Sequence, residues 1–380
     1  MTDGPLLVDH HVHGVVRKTL DRPEFELLIN EGGAAAADGV SHFDSPIGLA
    51  IRMHCAPLLD LEPGVDVEPY LARRAELGAD EVNRRLLRAA GTQKLLVDTG
   101  HHPGLVASPD EMAELAGCAA EPVARIERVV EEAAIAMAGP TQWLAEVGPA
   151  LAAAAHESAG LKTVVAYRRG FDLDPAPAAQ RELIDAADAW FAQGAVRLSS
   201  PVLLRHVLHL AADAAAGARI PIQVHAGFGD TDLTLHLADP SVFTPWVREL
   251  GARGVELVFL HCYPYHRNAG YLASVFPHVS FDVGCMFHYT GASSQTVLAE
   301  ALELSSWTKL LYSSDMFGLA EFAYVSAFLF RRAMDRVLDE WVADGDCTTQ
   351  IADGIREAVY AGNAQRVYRL GDRSTLQEVR

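Results

Sequence analysis

Cysteine is scarce and unpatterned in this 380-residue chain. Five are present, Cys55, Cys118, Cys262, Cys285 and Cys347, with no CxxC spacing. An odd, scattered set argues against a disulfide framework and suits reduced thiols in a cytoplasm. Cys262, next to His261, reads first as a small buried strand-end residue and only second as a soft metal ligand. Basic residues are also in short supply: 31 Lys and Arg stand against 50 Asp and Glu, a net charge of −19. That balance argues against a nucleic-acid groove and against docking on anionic membranes, since both need clustered cations. A local cationic pocket remains compatible with it. No apolar run is long enough to span a bilayer, and the alanine-rich stretch from Ala150 to Ala155 is short and flanked by polar residues. Met1-Thr2-Asp3-Gly4-Pro5 lacks the basic start and apolar stretch of a signal peptide. A cytoplasmic location is the expectation.

Half the residues are apolar, enough for a large core, and no Pro/Ser linker or repeat divides the chain. One domain over residues 1–380 is expected. Short apolar strands alternate with helical patterns about eight times. Strands are read at Leu6–His10, Lys94–Asp98, Val123–Glu127, Thr163–Tyr167, Ile220–His225, Val255–His261, Val279–Val283 and Lys309–Ser314. Amphipathic helical patterns run between the later strands, and two more, Glu321–Val342 and Thr348–Arg369, follow the last. The stretch 14–93 has no clear strand. It reads as a helical insertion, with helices at Glu24–Glu31 and within Val67–Ala90 and a break at Gly32-Gly33. The pattern is that of an α/β (β/α)₈ barrel with a helical insertion after strand 1 and extra C-terminal helices. An open doubly wound sheet would carry a glycine-rich turn after the first strand; here that turn is His-x-His.

Five segments carry the chemistry: Val8-Asp9-His10-His11-Val12-His13, Gly160-Leu161-Lys162, Gln223-Val224-His225, Phe259-Leu260-His261 and Tyr312-Ser313-Ser314-Asp315. Strand-end imidazoles and carboxylates converge if the strands close into a barrel, and these residue types bind zinc-like metals. His11 and His13 share strand parity, so both can face the axis, with Asp9 behind them. His10 has the opposite parity and is expected to pack outward. A single His225 or His261 at the end of an apolar run reads as a structural histidine more readily than as a ligand. Asp315 alone reads equally well as a cap for the helix starting near Leu319. Taken together, in barrel order, they favour a shared site.

The order His-x-His, Lys, His, His, Asp resembles the amidohydrolase superfamily of metal-dependent barrels. The strings Gly160–Arg168, Gln223–Asp230 and Leu311–Asp315, with Arg267–Ala273 after the sixth strand, are similar to the amidohydrolase half of FluG-type proteins. The resemblance spans essentially the whole chain, without the glutamine-synthetase-like half. It implies that His11, His13, His225 and Asp315 bind a catalytic divalent metal. Zinc is the first choice, in one or two ions, with Mn or Fe as alternatives. His261 is then either a ligand to a second ion or an acid/base group beside a single one. Lys162 matches the lysine that is carboxylated in two-metal members. Equally, it can be an unmodified lysine paired with a carboxylate such as Glu127.

From the residues, metal-activated water with Asp315 as proton acceptor and donor suits hydrolysis of an amide or related bond. Arg168 and Arg169 are candidates to clamp a carboxylate, and Glu127 to contact an amine. Asp230 and Asp232, in the loop after Gly227-Phe228-Gly229, are candidates for an ammonium group. His101, His102, Tyr263, Tyr265 and His288 are further pocket candidates. The FluG-type resemblance implies a γ-glutamyl amide or a related small amino-acid derivative as substrate. A metal-dependent decarboxylase of a small acid is the runner-up, and a catalytically silent barrel used as a binding module is third. A homo-oligomer is the expected assembly.

Overall fold

The computed structural model describes residues 5–371. Met1–Gly4, part of the segment read as lacking a signal pattern, lie outside the described residues. Seven parallel strands form one sheet in sequence order: β1 (Leu7–Val12), β2 (Thr92–Asp98), β3 (Ala119–Arg125), β4 (Gly160–Thr163), β5 (Ile222–Ala226), β6 (Leu257–His261) and β7 (Val279–Phe281). Helices connect them and cover the outside, giving a TIM-barrel fold. The expected eighth strand has no continuous ladder. Its residues still close the ring: Leu310 bridges Phe281, and Leu311 N donates to Phe281 O at 3.0 Å on the β7 side. On the β1 side, His10 N donates to Tyr312 O at 3.3 Å and Asp315 N to His11 O at 3.0 Å. Segment 310–316 therefore does a strand's work in an irregular conformation.

The end of the barrel opposite the strand C-termini is filled. Val8, Leu96, Val123, Val258 and Leu311 cluster with Tyr368, a fully buried residue from the C-terminal helix Asn363–Tyr368. The Tyr368 hydroxyl meets Gln223 Nε2 at 2.9 Å and His10 Nδ1 at 3.0 Å. Gln223 also donates to the His10 carbonyl at 2.8 Å, so it spans the interior from β5 to β1. His10 thus points inward, contrary to the parity expectation. The register of β1 against β2 slips between Asp9 and Val12, and this irregularity lets consecutive residues face the interior.

The fourth strand ends earlier than its β-branched run suggests. Glu127 accepts from Thr163 Oγ1 at 2.6 Å and from Val164 N at 3.0 Å, and Val165–Arg168 turn into a short helix. Lys162 therefore lies within β4, near its C-terminal end, and does not precede the strand. Between β1 and β2 the chain is helical, including Arg22–Ile29, Val67–Leu77 and Ala79–Ala89. Asp21 caps the first of these with a reciprocal Glu24 bond, the arrangement of a capping box. No helix among the described residues is long and apolar enough to cross a membrane.

Candidate metal centre

At the C-terminal ends of the strands, β1 delivers His11 and His13, β4 delivers Lys162, β5 His225, and β6 His261; Asp315 comes from the closing segment. The Asp315 carboxylate stands at the middle. It lies 3.3 Å from His11 Nε2, 3.6 Å from His13 Nε2 and 3.0 Å from His261 Nδ1. His11, His261 and Asp315 offer ligand atoms all within 4.8 Å of one another, and so do His11, His13 and Asp98. His225 falls outside both groups, with its ring 4.7 Å from that of His261. Asp315 does not cap the next helix, whose N-cap is Leu319.

Two of these residues adopt left-handed backbone, His261 at φ 64° and Asp315 at φ 52°. Such conformations cost about 1–3 kcal/mol each and persist only when surrounding bonds impose them. Here Asp282 Oδ1 accepts from His261 N at 2.7 Å, and His11 O accepts from Asp315 N. Ser314 N in turn donates to Asp9 at 2.9 Å, so Asp9 sits behind the site.

Burial, reinforced by the Lys162 charge, holds His11, His13 and His225 well below the usual imidazole range; for His261 burial and then His225 do so. All four are neutral, the form that ligates metals. His11 Nδ1, His13 Nδ1, His225 Nε2 and His261 Nδ1 are buried with no partner at hydrogen-bonding geometry. Orphaned buried nitrogens cost about 1–3 kcal/mol each, and an ion ligated by His225 Nε2 and His261 Nδ1 removes that cost for those two, while His11 and His13 turn their Nε2 atoms toward Asp315. The donor set of neutral imidazoles and a carboxylate fits a divalent ion.

Lys162 reaches into the same cluster. Its Nζ lies 2.9 Å from His11 Nε2 and 3.1 Å from Asp98 Oδ2. Its carboxylate partner is thus Asp98, not Glu127. Asp98 also receives Arg125 at 2.6 Å, and its carboxyl is held well below the usual range by Arg125 and Lys162 against the opposing effect of burial. Neither Asp98 nor Arg125 was singled out from the sequence. The available signal was their position at the ends of β2 and β3. Glu127 is fully committed to ending β4 and is 1% exposed, so it does not face a substrate.

Two adjoining chambers of about 440 and 320 Å³ open over the site. They share His13, Glu31, His101, His102, Asp230 and Asp315. Arg168 lines the second, held by Glu131 at 3.0 Å; Arg169 is exposed and outside it. Asp232 lines both and pairs with Arg197 at 3.0 Å. Tyr263, Tyr265 and His288 do not line either chamber; His288 is buried, bonded to Ser326 at 2.7 Å and stacked on Phe322. Cys262 is buried and belongs to neither ligand group.

Comparison with known proteins places the chain in a family. The family model described as amidohydrolase matches residues 97–370. Protein fluG of Emericella nidulans is 28% identical over 405 residues, covering 96% of this chain and 46% of its own length. The chain thus spans about half the length of that curated relative. A crystal structure from Lactobacillus casei, assigned as a metal-dependent hydrolase, superposes with a TM-score of 0.84 at 26% identity, covering 97% of this chain and 96% of its own. Uronate isomerase of Thermotoga maritima shares the fold, with a TM-score of 0.65 at 14% identity over 96% of this chain and 95% of its own. The family is one of metal-dependent enzymes, which accounts for four neutral imidazoles and a carboxylate gathered at one mouth of the barrel: the chain belongs to the amidohydrolase family.

Proposed function

We propose that the protein hydrolyses a C–N bond of a small amide, with γ-glutamyl amides as the first substrate class to try. The observation that carries this reading is the Asp315 carboxylate standing against three strand-end imidazoles, with cavity space beside it. His11, His13, His225, His261 and Asp315 would hold the divalent ion, zinc before manganese or iron. When bound, such an ion supplies Lewis acidity toward a carbonyl and acidifies water.

Asp315 accepts the proton of the attacking water and returns it to the leaving nitrogen, within reach of the same cavity. His261, its backbone N held by Asp282 Oδ1, aims its ring Nδ1 at Asp315 and so at the same ion position. Lys162 and Arg125 surround Asp98 and supply fixed positive charge beneath the site. Arg168, steadied by Glu131, faces the cavity and suits a substrate carboxylate. The fluG and FluG-type likeness supports the γ-glutamyl choice by analogy.

The test is incubation of the metal-loaded protein with a panel of γ-glutamyl amides in ¹⁸O-water. Glutamate release with one ¹⁸O in the new carboxylate is the expected result. Carbon dioxide release from a small acid, without ¹⁸O uptake, would replace this reading with a decarboxylase. Absence of any turnover together with absence of bound metal would leave a binding module.

A further inference from the structure

The charged groups around the cavity do not balance. Every arginine that lines it is already paired: Arg125 with Asp98, Arg168 with Glu131, and Arg197 with Asp232. Glu31 and Asp230 line both chambers, and among the described residues neither has a cationic partner. Burial raises the Glu31 carboxyl above its usual range and Asp230 adds to this, while the Tyr289 bond and, least, the Lys162 charge, already paired with Asp98, oppose it. His225, more than nine-tenths buried, lines the second chamber with an unpartnered Nε2, so this is a cavity built for an occupant.

Tyr289 fixes the Glu31 carboxylate and Tyr167 the Asp230 backbone, while Asp232 N donates to Asp230 Oδ1 at 2.8 Å and turns that carboxylate. Tyr289 donates its hydroxyl to Glu31 at 3.0 Å and packs on Phe228 with ring centroids 5.3 Å apart. Asp230 N donates to the Tyr167 hydroxyl at 3.2 Å, while the Tyr167 ring lies 4.4 Å from that of His225. Two acids with no salt-bridge partner among the described residues, in a partly desolvated chamber, favour a cation over an anion or a neutral group. A hydrogen-bonding cation of small size fits, since the Tyr289 bond to Glu31 and the Asp232 N bond to Asp230 leave carboxylate lone pairs free to accept.

We propose that Glu31, with Asp230, forms an ammonium-binding subsite that selects substrates carrying a protonated amine. This deepens the amide-hydrolase reading and rests on it for the reacting bond. Glu31 comes from the segment between β1 and β2 and Asp230 from the loop after β5, whereas the candidate metal ligands sit at strand ends and in the closing segment. Recognition of the amine is thereby separated from the chemistry: the strand ends supply the reaction centre and the segments over them supply the selectivity.

The test compares γ-L-glutamyl-p-nitroanilide with glutaryl-p-nitroanilide, which differ only in the α-ammonium group. The wild-type protein should prefer the first by about tenfold or more in kcat/KM. In Glu31→Gln that preference should collapse toward unity, chiefly through KM, with metal content unchanged. Calorimetry with L-glutamate and glutarate reads the same subsite without turnover. Preference for L-glutamate, lost in Glu31→Gln, supports the subsite even if neither anilide is cleaved; the hydrolase reading would then fail alone. Equal binding of the two ligands by the wild type, or a preference that survives in both Glu31→Gln and Asp230→Asn, overturns it.

Discussion

Asp98 is fully buried between two cations, Arg125 at 2.6 Å and Lys162 at 3.1 Å. Removing one partner of a buried ion cluster leaves uncompensated charge, which costs about 3–5 kcal/mol. Asp98→Ala should therefore lose about that much stability in urea unfolding; a loss under 1 kcal/mol would show that water reaches the cations. His288 gives a pH prediction. Burial alone lowers its pKa to about 3, against 6.5 for an ordinary histidine. Above pH 6.5 both folded and unfolded chains leave it neutral. Below that value the unfolded chain takes up the proton first, so stability falls until the folded protein is protonated near pH 3. At pH 5 this contributes a loss of ~2 kcal/mol. The stability slope between pH 6.5 and 5 should be shallower in His288→Gln, and equal slopes would contradict the assignment. At this scale the sequence was legible where a polar residue ended an apolar run, as at His225 and His261. It misled where a carboxylate had two plausible partners: Glu127, read as a substrate contact or a Lys162 partner, instead terminates β4.

The elements were legible from periodicity, apart from places where local hydrogen bonds overrode it. Val164 and Val165 read as strand but begin a helix, because the Glu127 carboxylate captures Val164 N. Lys309–Ser314 reads as the eighth strand, yet only a single bridge and scattered bonds form, since its backbone must bend to present Asp315 in left-handed geometry. The irregular register of β1 could not be read from alternation, and it is what turns both His10 and His11 inward. The loop after β5 shows the same dependence on close backbone approach. At Gly229 a Cβ would overlap the Tyr167 hydroxyl and crowd His225 Nε2 at 3.1 Å. Gly229→Ala should displace Tyr167 and the Asp230 carboxylate, lowering kcat/KM by about tenfold or more while the melting temperature changes little. Unchanged kinetics would mean that the loop does not shape the cavity.

For the whole molecule, barrel closure is what makes distant residues into one site. β1 and the segment before Asp315 are about 300 residues apart in sequence and are joined by direct backbone bonds. The filled end, plugged by Tyr368, leaves only the strand C-termini open to a ligand, as the fold requires. A ligand that binds only the folded state stabilises it by RT ln(1 + [L]/Kd), about 4 kcal/mol at a thousandfold excess over Kd. Stripping metal with a chelator should lower the melting temperature, and restoring a divalent ion should recover it. A melting temperature indifferent to chelation and re-addition would speak against a ligand at this mouth.

Anomalous diffraction from crystals of the protein, recorded at the zinc, manganese and iron edges, tests the assembly most directly. The account predicts a peak bonded to Asp315 together with His11 and His261, at ligand distances of about 2.0–2.2 Å. A peak at some other place, or none among these side chains after metal loading, would contradict it.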